Sequence, residues 1–433
     1  MNFPEKQILC LSIVTAVILS GCQTLVPTDV PTSTDVIGVT SNPPPTAAPS
    51  PSPTEILFQG TITIWHSWDE SRLAALVQII TNFQTIYPDV QFDVLYLPPE
   101  ILRLRFEEEV FQGDGPAVLL APAAWGPSLY NAGAIAPLEN MIDPAVIAGI
   151  PAPALGSGQY RGTLIGLPYT QQGVVLYRNR QIILEPPPTL EALTSLAKQA
   201  TRGETIGAYL ERSFFYSGAH LVGLGGEWMD TDGNPAFNNE KGIAWLELLK
   251  RFDDAGPTEL LTDRDLERFK AGKVGFLIDG TWNIKTLTET VGIENLAIDP
   301  WPLHPQGALS GFVQASNIYL NVNQIETTLP AVQKFAEYFL SQAAQQQLVT
   351  AGMLPVVDGI AFPNLPMEQA YAALKGGVSY PIQPEVELYL APMEFAIKSA
   401  LIDSVSYPQA LQAAEDALLA SLEARRLSTT PFP

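Results

Sequence analysis

The chain has 433 residues, 46% of them hydrophobic, and a formal net charge of −22. Nucleic acid and anionic lipid both need clustered cations, so this balance argues against either as a partner; diffuse acidity is mostly a solubility property. The length exceeds one typical domain and suits two behind a leader segment.

Residues 8–19 form an apolar-leaning run of about a dozen, the size of a signal-peptide core and too short to span a bilayer. The run ends in Leu19-Ser20-Gly21-Cys22, which looks like a bacterial lipobox: small residues let the backbone enter a peptidase, and the thiol after them takes a diacylglycerol. The basic n-region is thin, with Lys6 offset by Glu5. An ordinary secretory signal with a chance cysteine is the alternative. Of the two cysteines, Cys10 would leave with residues 1–21, and Cys22 would carry the lipid, so the mature chain would hold no free thiol and no disulfide. The expected location is extracytoplasmic, lipid-anchored on the outer face of the cell membrane, since acyl chains contribute about 0.8 kcal/mol per buried methylene. Residues 22–54 are Pro-, Thr- and Ser-rich; residues 27–54 among them have no aromatic, Lys or Arg. That composition cannot offset ordering entropy, so it reads as an extended tether of about 3 Å per residue.

Strand and helix patterns then alternate. Residues 61–65 are β-branched and apolar and read as a buried strand. Over 71–87, Leu73, Leu76, Val77, Ile80, Phe83 and Ile86 recur at spacings of three and four, an amphipathic helix that stops before Pro88. Residues 90–97 and 117–121 read as strands, with a helix starting near Trp125. Such alternation implies parallel pairing and an α/β fold, in which ligands sit beyond the carboxyl ends of the strands.

Several segments, in order, carry a family resemblance: GTITIWHSW at 60–68, GDGPAV at 113–118, NAGAIAPL at 131–138, GTLIGLPY at 162–169, LYRNR at 176–180, PPTLEAL at 187–193 and FKAGKVGFLIDGTW at 269–282. Together they resemble bacterial family 1 extracellular solute-binding proteins, the receptors of ABC sugar importers such as the maltose- and maltodextrin-binding proteins. The last segment has Asp-Gly-Thr-Trp where the family has Asn-Gly-Pro-Trp. The resemblance implies a periplasmic-binding-protein-like (type II) α/β fold, two lobes joined by a multi-strand hinge around a ligand cleft. It places crossings near 166–168, near Asp279 and at 314–319, giving a first lobe of 55–167 plus 279–318 and a second of 168–278 plus 319–433. It implies a monomer that hands a sugar to ABC permease subunits in the membrane, without cofactor and without enzymatic activity.

Sugar sites pair aromatic platforms with planar hydrogen-bonding side chains. The candidates at strand ends or crossings are Trp65, His66, Ser67, Trp68, Trp125, Gln171, Gln172, Glu211, Phe215, Tyr216, Trp282, Trp301, Gln314 and Tyr389. By the resemblance, Trp282 matches the family's stacking tryptophan, and residues 211–216 match its polar-aromatic cluster. Gln171 and Gln172 stand where maltodextrin receptors usually carry a carboxylate. His66 either meets ligand or caps its strand, and Trp245 reads as core. Three scattered histidines and no mature thiol exclude Cys/His zinc sites. The run from Asp230 to Asn234 is followed by Pro235 and later Lys241 where a calcium loop has its sixth-position Gly and twelfth-position Glu, so it reads as a turn before a helix capped at Asn238 or Asn239. Two rivals stand beside the sugar receptor: a polyamine or other small-solute receptor or sensor of the same fold, and a glycosidase whose carboxylates are scattered in sequence.

Overall fold

The computed structural model describes residues 58–429 apart from 259, 261–263 and 324–327. The expected signal, Cys22 and tether lie outside the described residues.

From its start the chain alternates as expected: β1 (Gly60–His66), α1 (Glu70–Ile86), β2 (Val90–Tyr96), α2 (Pro99–Phe111), β3 (Val118–Pro122) and α3 (Gly126–Asn131). In α1, the Asp69 carboxylate accepts from Arg72 N–H at 3.0 Å, and Leu76, Ile79, Ile80 and Phe83 are buried on one face. Short helices α4 (Pro144–Ala148) and α5 (Ala152–Gly156) and the hairpin β4 (Gln159–Tyr160), β5 (Thr163–Leu164) lead into the long strand β6 (Leu167–Asn179). Then come α6 (Leu190–Ala200), β7 (Ile206–Tyr209), α7 (Phe214–Gly223), α8 (Glu240–Arg251), α9 (Arg264–Lys270), β8 (Val274–Gly280), α10 (Ile284–Val291) and β9 (Leu296–Asp299). The hairpin β10 (Leu303–His304), β11 (Gly307–Ala308) precedes β12 (Phe312–Leu320). The chain finishes with α11 (Leu329–Phe339), α12 (Gln342–Thr350), α13 (Leu365–Lys375), β13 (Val378–Ser379), α14 (Val386–Leu401) and α15 (Tyr407–Thr429).

The main sheet runs β2-β1-β3-β12-β6-β8-β7. β1 pairs in parallel with β2 and β3, and β7 in parallel with β8, while β12 and β6 join the two halves through antiparallel pairing. Each half has its own core. The first packs Ile62, Leu76, Phe83, Leu120 and Phe335; the second packs Trp245, Phe252, Phe276, Met393 and Leu411.

The expected lobe boundaries need correcting in two places. Residues of α10 and β9 (Leu287, Ile298) bury with Tyr177 and Leu277 of the second lobe, so 284–298 belong there and the chain does not return near Asp279. Helices α11 and α12 bury Val332, Phe335 and Leu348 with Leu76 and Phe83, so they belong to the first lobe. β6 and β12 are crossings, and a further one lies at 354–356, where Leu354 joins the core beside Tyr177 and Val356 the core beside Phe83. Three neighbouring crossings that each absorb a small rotation make a hinge. Gln171 braces it: its backbone and side-chain N–H groups donate to Leu354 O at 3.2 Å and Pro355 O at 2.7 Å.

Candidate functional site

Parallel β7 and β8 end on the same edge of the second lobe, and the site grows from those ends. At the end of β8, Asp279 accepts from Gly280 N–H at 2.6 Å and from Asn283 Nδ2 at 2.9 Å, which orders the short turn Thr281–Asn283. Thr281 Oγ1 accepts from Gly173 N–H at 3.1 Å and fixes that turn to the crossing strand β6. The Trp282 ring lies back over Gly280, where any Cβ would stand 2.0 Å from the indole, so only glycine permits this pose. The indole remains 43% exposed.

Beyond β7, helix α7 presents Phe215 and Tyr216 from its first turn. The Phe215 and Trp282 rings lie 6.1 Å apart at 38°, Tyr216 stands 6.4 Å from Trp282, and Tyr380 lies 5.5 Å from Phe215. Tyr380 in turn packs edge-on against Phe312 of β12 at 5.1 Å. Burial, with Glu387 nearby, pushes the Tyr380 hydroxyl up to about 12. Gln314 of β12 lies directly opposite Gln172 of β6, so both side chains leave the sheet on the face that also carries Phe312. Trp282, Phe215, Tyr216 and Tyr380 thus cluster at the strand ends of the second lobe, and Phe312 links them to the sheet face that carries the two amides. A cavity of about 270 Å³ opens alongside, lined by Phe312, Tyr380, Trp228 and Met229 and by Gly156 of the first lobe.

The structure thus brings together Trp282, Phe215, Tyr216, Gln172 and Gln314, and adds Tyr380, which the sequence reading missed. Ser67 and the half-buried Trp125 stand at the carboxyl ends of β1 and β3 on the first lobe, without contact to that cluster.

Seven other candidates lie outside this cluster and are engaged in packing or internal hydrogen bonds. Trp65 is buried against Leu102 and Phe106, with the Arg105 guanidinium 5.2 Å over its ring. Trp68 is buried in the first-lobe core and donates through Nε1 to Tyr169 Oη at 3.2 Å. His66 is fully buried and accepts from Trp68 N–H through Nδ1 at 3.0 Å, so it caps the turn; burial lowers its pKa. Gln171 is the hinge brace described above. Glu211 is buried, with Oε1 accepting from Arg212 and Ser213 N–H at 2.9 and 2.8 Å; burial pushes its carboxyl up to about 7. Trp301 packs on the second-lobe core with its ring 5.2 Å from that of His220. Tyr389 is fully buried and donates to Gly233 O at 3.0 Å.

Among the described residues, no group of three or more His, Cys, Asp or Glu side chains is placed to hold a metal ion, and no helix is long and apolar enough to cross a membrane. Asp230 accepts from Asp232 and Asn234 N–H, both at 2.9 Å, and Asn239 caps α8, as a turn before a helix requires.

Two α/β lobes, a hinge of neighbouring crossings and an aromatic-amide cluster at one lobe's strand ends define a hinged ligand-binding protein. The chain belongs to the bacterial extracellular solute-binding protein family, whose model matches residues 78–375. It is similar to a maltotriose-binding protein of Pyrococcus abyssi, at 22% identity over 249 residues, covering 56% of this chain and 54% of that one. It thus spans about half the length of that relative. A Staphylococcus aureus extracellular solute-binding protein in complex with maltose shares the fold with a TM-score of 0.75 at 18% identity, covering 84% of this chain and 98% of that one. A cyclic alpha-maltosyl-1,6-maltose binding protein of Arthrobacter globiformis gives 0.74 at 18%, covering 84% and 100%.

Proposed function

We propose that this protein captures a neutral sugar or oligosaccharide between its lobes and delivers it to ABC permease subunits, performing no chemistry on it. The observation that carries this reading is the platform of exposed Trp282 and half-buried Phe215 and Tyr216, with the amides Gln172 and Gln314 opposite each other on the adjoining crossing strands. Sugar rings offer flat apolar faces edged by hydroxyls, which such a surface complements. The malto-oligosaccharides named for the relatives are the first ligands to test, although an amide stands here where a maltodextrin receptor would carry a carboxylate.

Ligand held between lobes stabilises the closed state by its differential affinity for that state. Small-angle scattering with saturating maltotriose is expected to show a smaller radius of gyration than the empty protein. Identical profiles at saturation would argue for a rigid pocket instead.

Attachment is proposed through a lipid on Cys22. Cys22→Ser is expected to move the protein from membrane fractions to the soluble fraction with ligand affinity unchanged. Retention of that variant on membranes would speak against the lipobox.

A further inference from the structure

Helix α7 meets the cleft with its N-terminus, and the protein's own carboxylates already serve that end. Its N-cap, Ser213, makes no side-chain cap. Instead Glu394 of α14 accepts from Phe214 N–H at 2.7 Å through Oε1, while Glu211 takes the two preceding amides. The other oxygen of Glu394, Oε2, bonds to no described residue.

Glu394 lies at the border between the buried and the exposed face of α14. Glu387, Leu390, Ala391 and Glu394 recur at spacings of one helical turn and are exposed or half-buried, whereas Tyr389, Met393, Ala396 and Ile397 are buried. Glu387 stands close enough to Tyr380 to raise its hydroxyl, and Glu394 is bonded to the backbone one residue before Phe215. One carboxylate thus stands near Tyr380 and the other at the start of α7, next to Phe215. Arg212, the cation next to this end of the helix, is turned inward and pairs with Asp253 at 3.1 Å.

We propose that Glu394 is a ligand-binding carboxylate that selects the charge class of the sugar: its Oε2 accepts from a hydroxyl or protonated amine of the saccharide stacked on Trp282 and Phe215, and anionic saccharides are rejected. The inference rests on the saccharide reading above. An unoccupied helix N-terminus attracts anions, but this one is filled from within, so a ligand carboxylate or phosphate meets like charge and no free amide dipole. Burial raises the Glu394 carboxyl pKa, so an incoming donor replaces solvation that the group has lost.

The test is calorimetry with maltotriose, its 2-amino-2-deoxy analogue and its terminal uronate, on wild type and Glu394→Gln. Glutamine keeps an acceptor for Phe214 N–H, so the helix start is preserved. Wild type is expected to bind the uronate at least about tenfold more weakly than maltotriose, and the amine at least as tightly. In Glu394→Gln, maltotriose binding is expected to weaken by about three- to tenfold, with the uronate coming within about threefold of it. A neutral-to-uronate ratio unmoved by the substitution overturns the role of Glu394, because a purely structural role would leave it so. So does a wild type that binds both equally. If these three give no heat, the same comparison is made on a neutral saccharide from a glycan panel and its oxidised form. Failure of every saccharide to bind refutes the sugar reading itself, a result distinct from binding with an unmoved ratio.

Discussion

Trp282→Ala is expected to weaken sugar binding by about 30-fold or more while leaving the unfolding midpoint nearly unchanged. The indole is 43% exposed, belongs to neither lobe's core and lies against Phe215 at the end of β8. Removing it deletes a ring face that a sugar would cover, and a central aromatic contact is typically worth about 2 kcal/mol or more. Trp65→Ala and Trp68→Ala should show the reverse pattern. Both indoles are only 7% exposed, so truncation leaves cavities costing about 3–5 kcal/mol of stability. Affinity and urea midpoints measured on all three variants separate the cases. A Trp282→Ala protein that binds as tightly as wild type would remove the platform from the account.

Asp299→Ala is expected to destabilise the second lobe by about 3–5 kcal/mol. Arg178, near the end of β6, is 5% exposed and grips Asp299 of β9 with two bonds, Nε–Oδ2 at 2.6 Å and Nη2–Oδ1 at 2.9 Å. Its Nη1 also donates to Ile183 O at 3.1 Å and Leu184 O at 2.6 Å. Loss of the carboxylate strands a buried guanidinium, and that uncompensated charge is the main cost. Arg178→Met combined with Asp299→Leu should therefore recover most of the loss, since a packed apolar pair carries no such penalty. Equilibrium urea unfolding measures both. A loss under about 1 kcal/mol in the single variant would mean that water reaches the guanidinium.

The alternation that builds each lobe was legible because it is local: the spacing of Leu76, Ile80 and Phe83 in α1 and the β-branched run of β1 need no partner to be recognised. Partition between lobes was not. An apolar stripe such as Val332, Phe335 and Phe339 of α11 states that a face is buried, not which core receives it. The same limit governs the tryptophans. Trp65, Trp68 and Trp282 all stand at or just beyond the carboxyl end of a strand, but Phe106 and Arg105 cover the first and Tyr169 and Phe339 the second, while the third lies bare over Gly280. Tyr380 follows a two-residue strand in a proline-flanked stretch without periodicity, so its place in the cluster comes only from the pairing of β13 with β12. Glu394 did carry a signal, a lone carboxylate in the otherwise apolar run from Leu388 to Ile397 of α14, but its partner is 180 residues away.

The sugar reading and its amine rival differ most in their response to salt. Purified protein titrated with maltotriose and, separately, with spermidine, at about 10 mM and about 500 mM salt, decides between them, because screening weakens interactions between exposed charges and leaves stacking almost untouched. The account predicts that maltotriose binds with nearly the same affinity at both ionic strengths and that spermidine gives no saturable heat. No heat with maltotriose or any other neutral saccharide, together with tight spermidine binding at low salt that is lost at high salt, would contradict it.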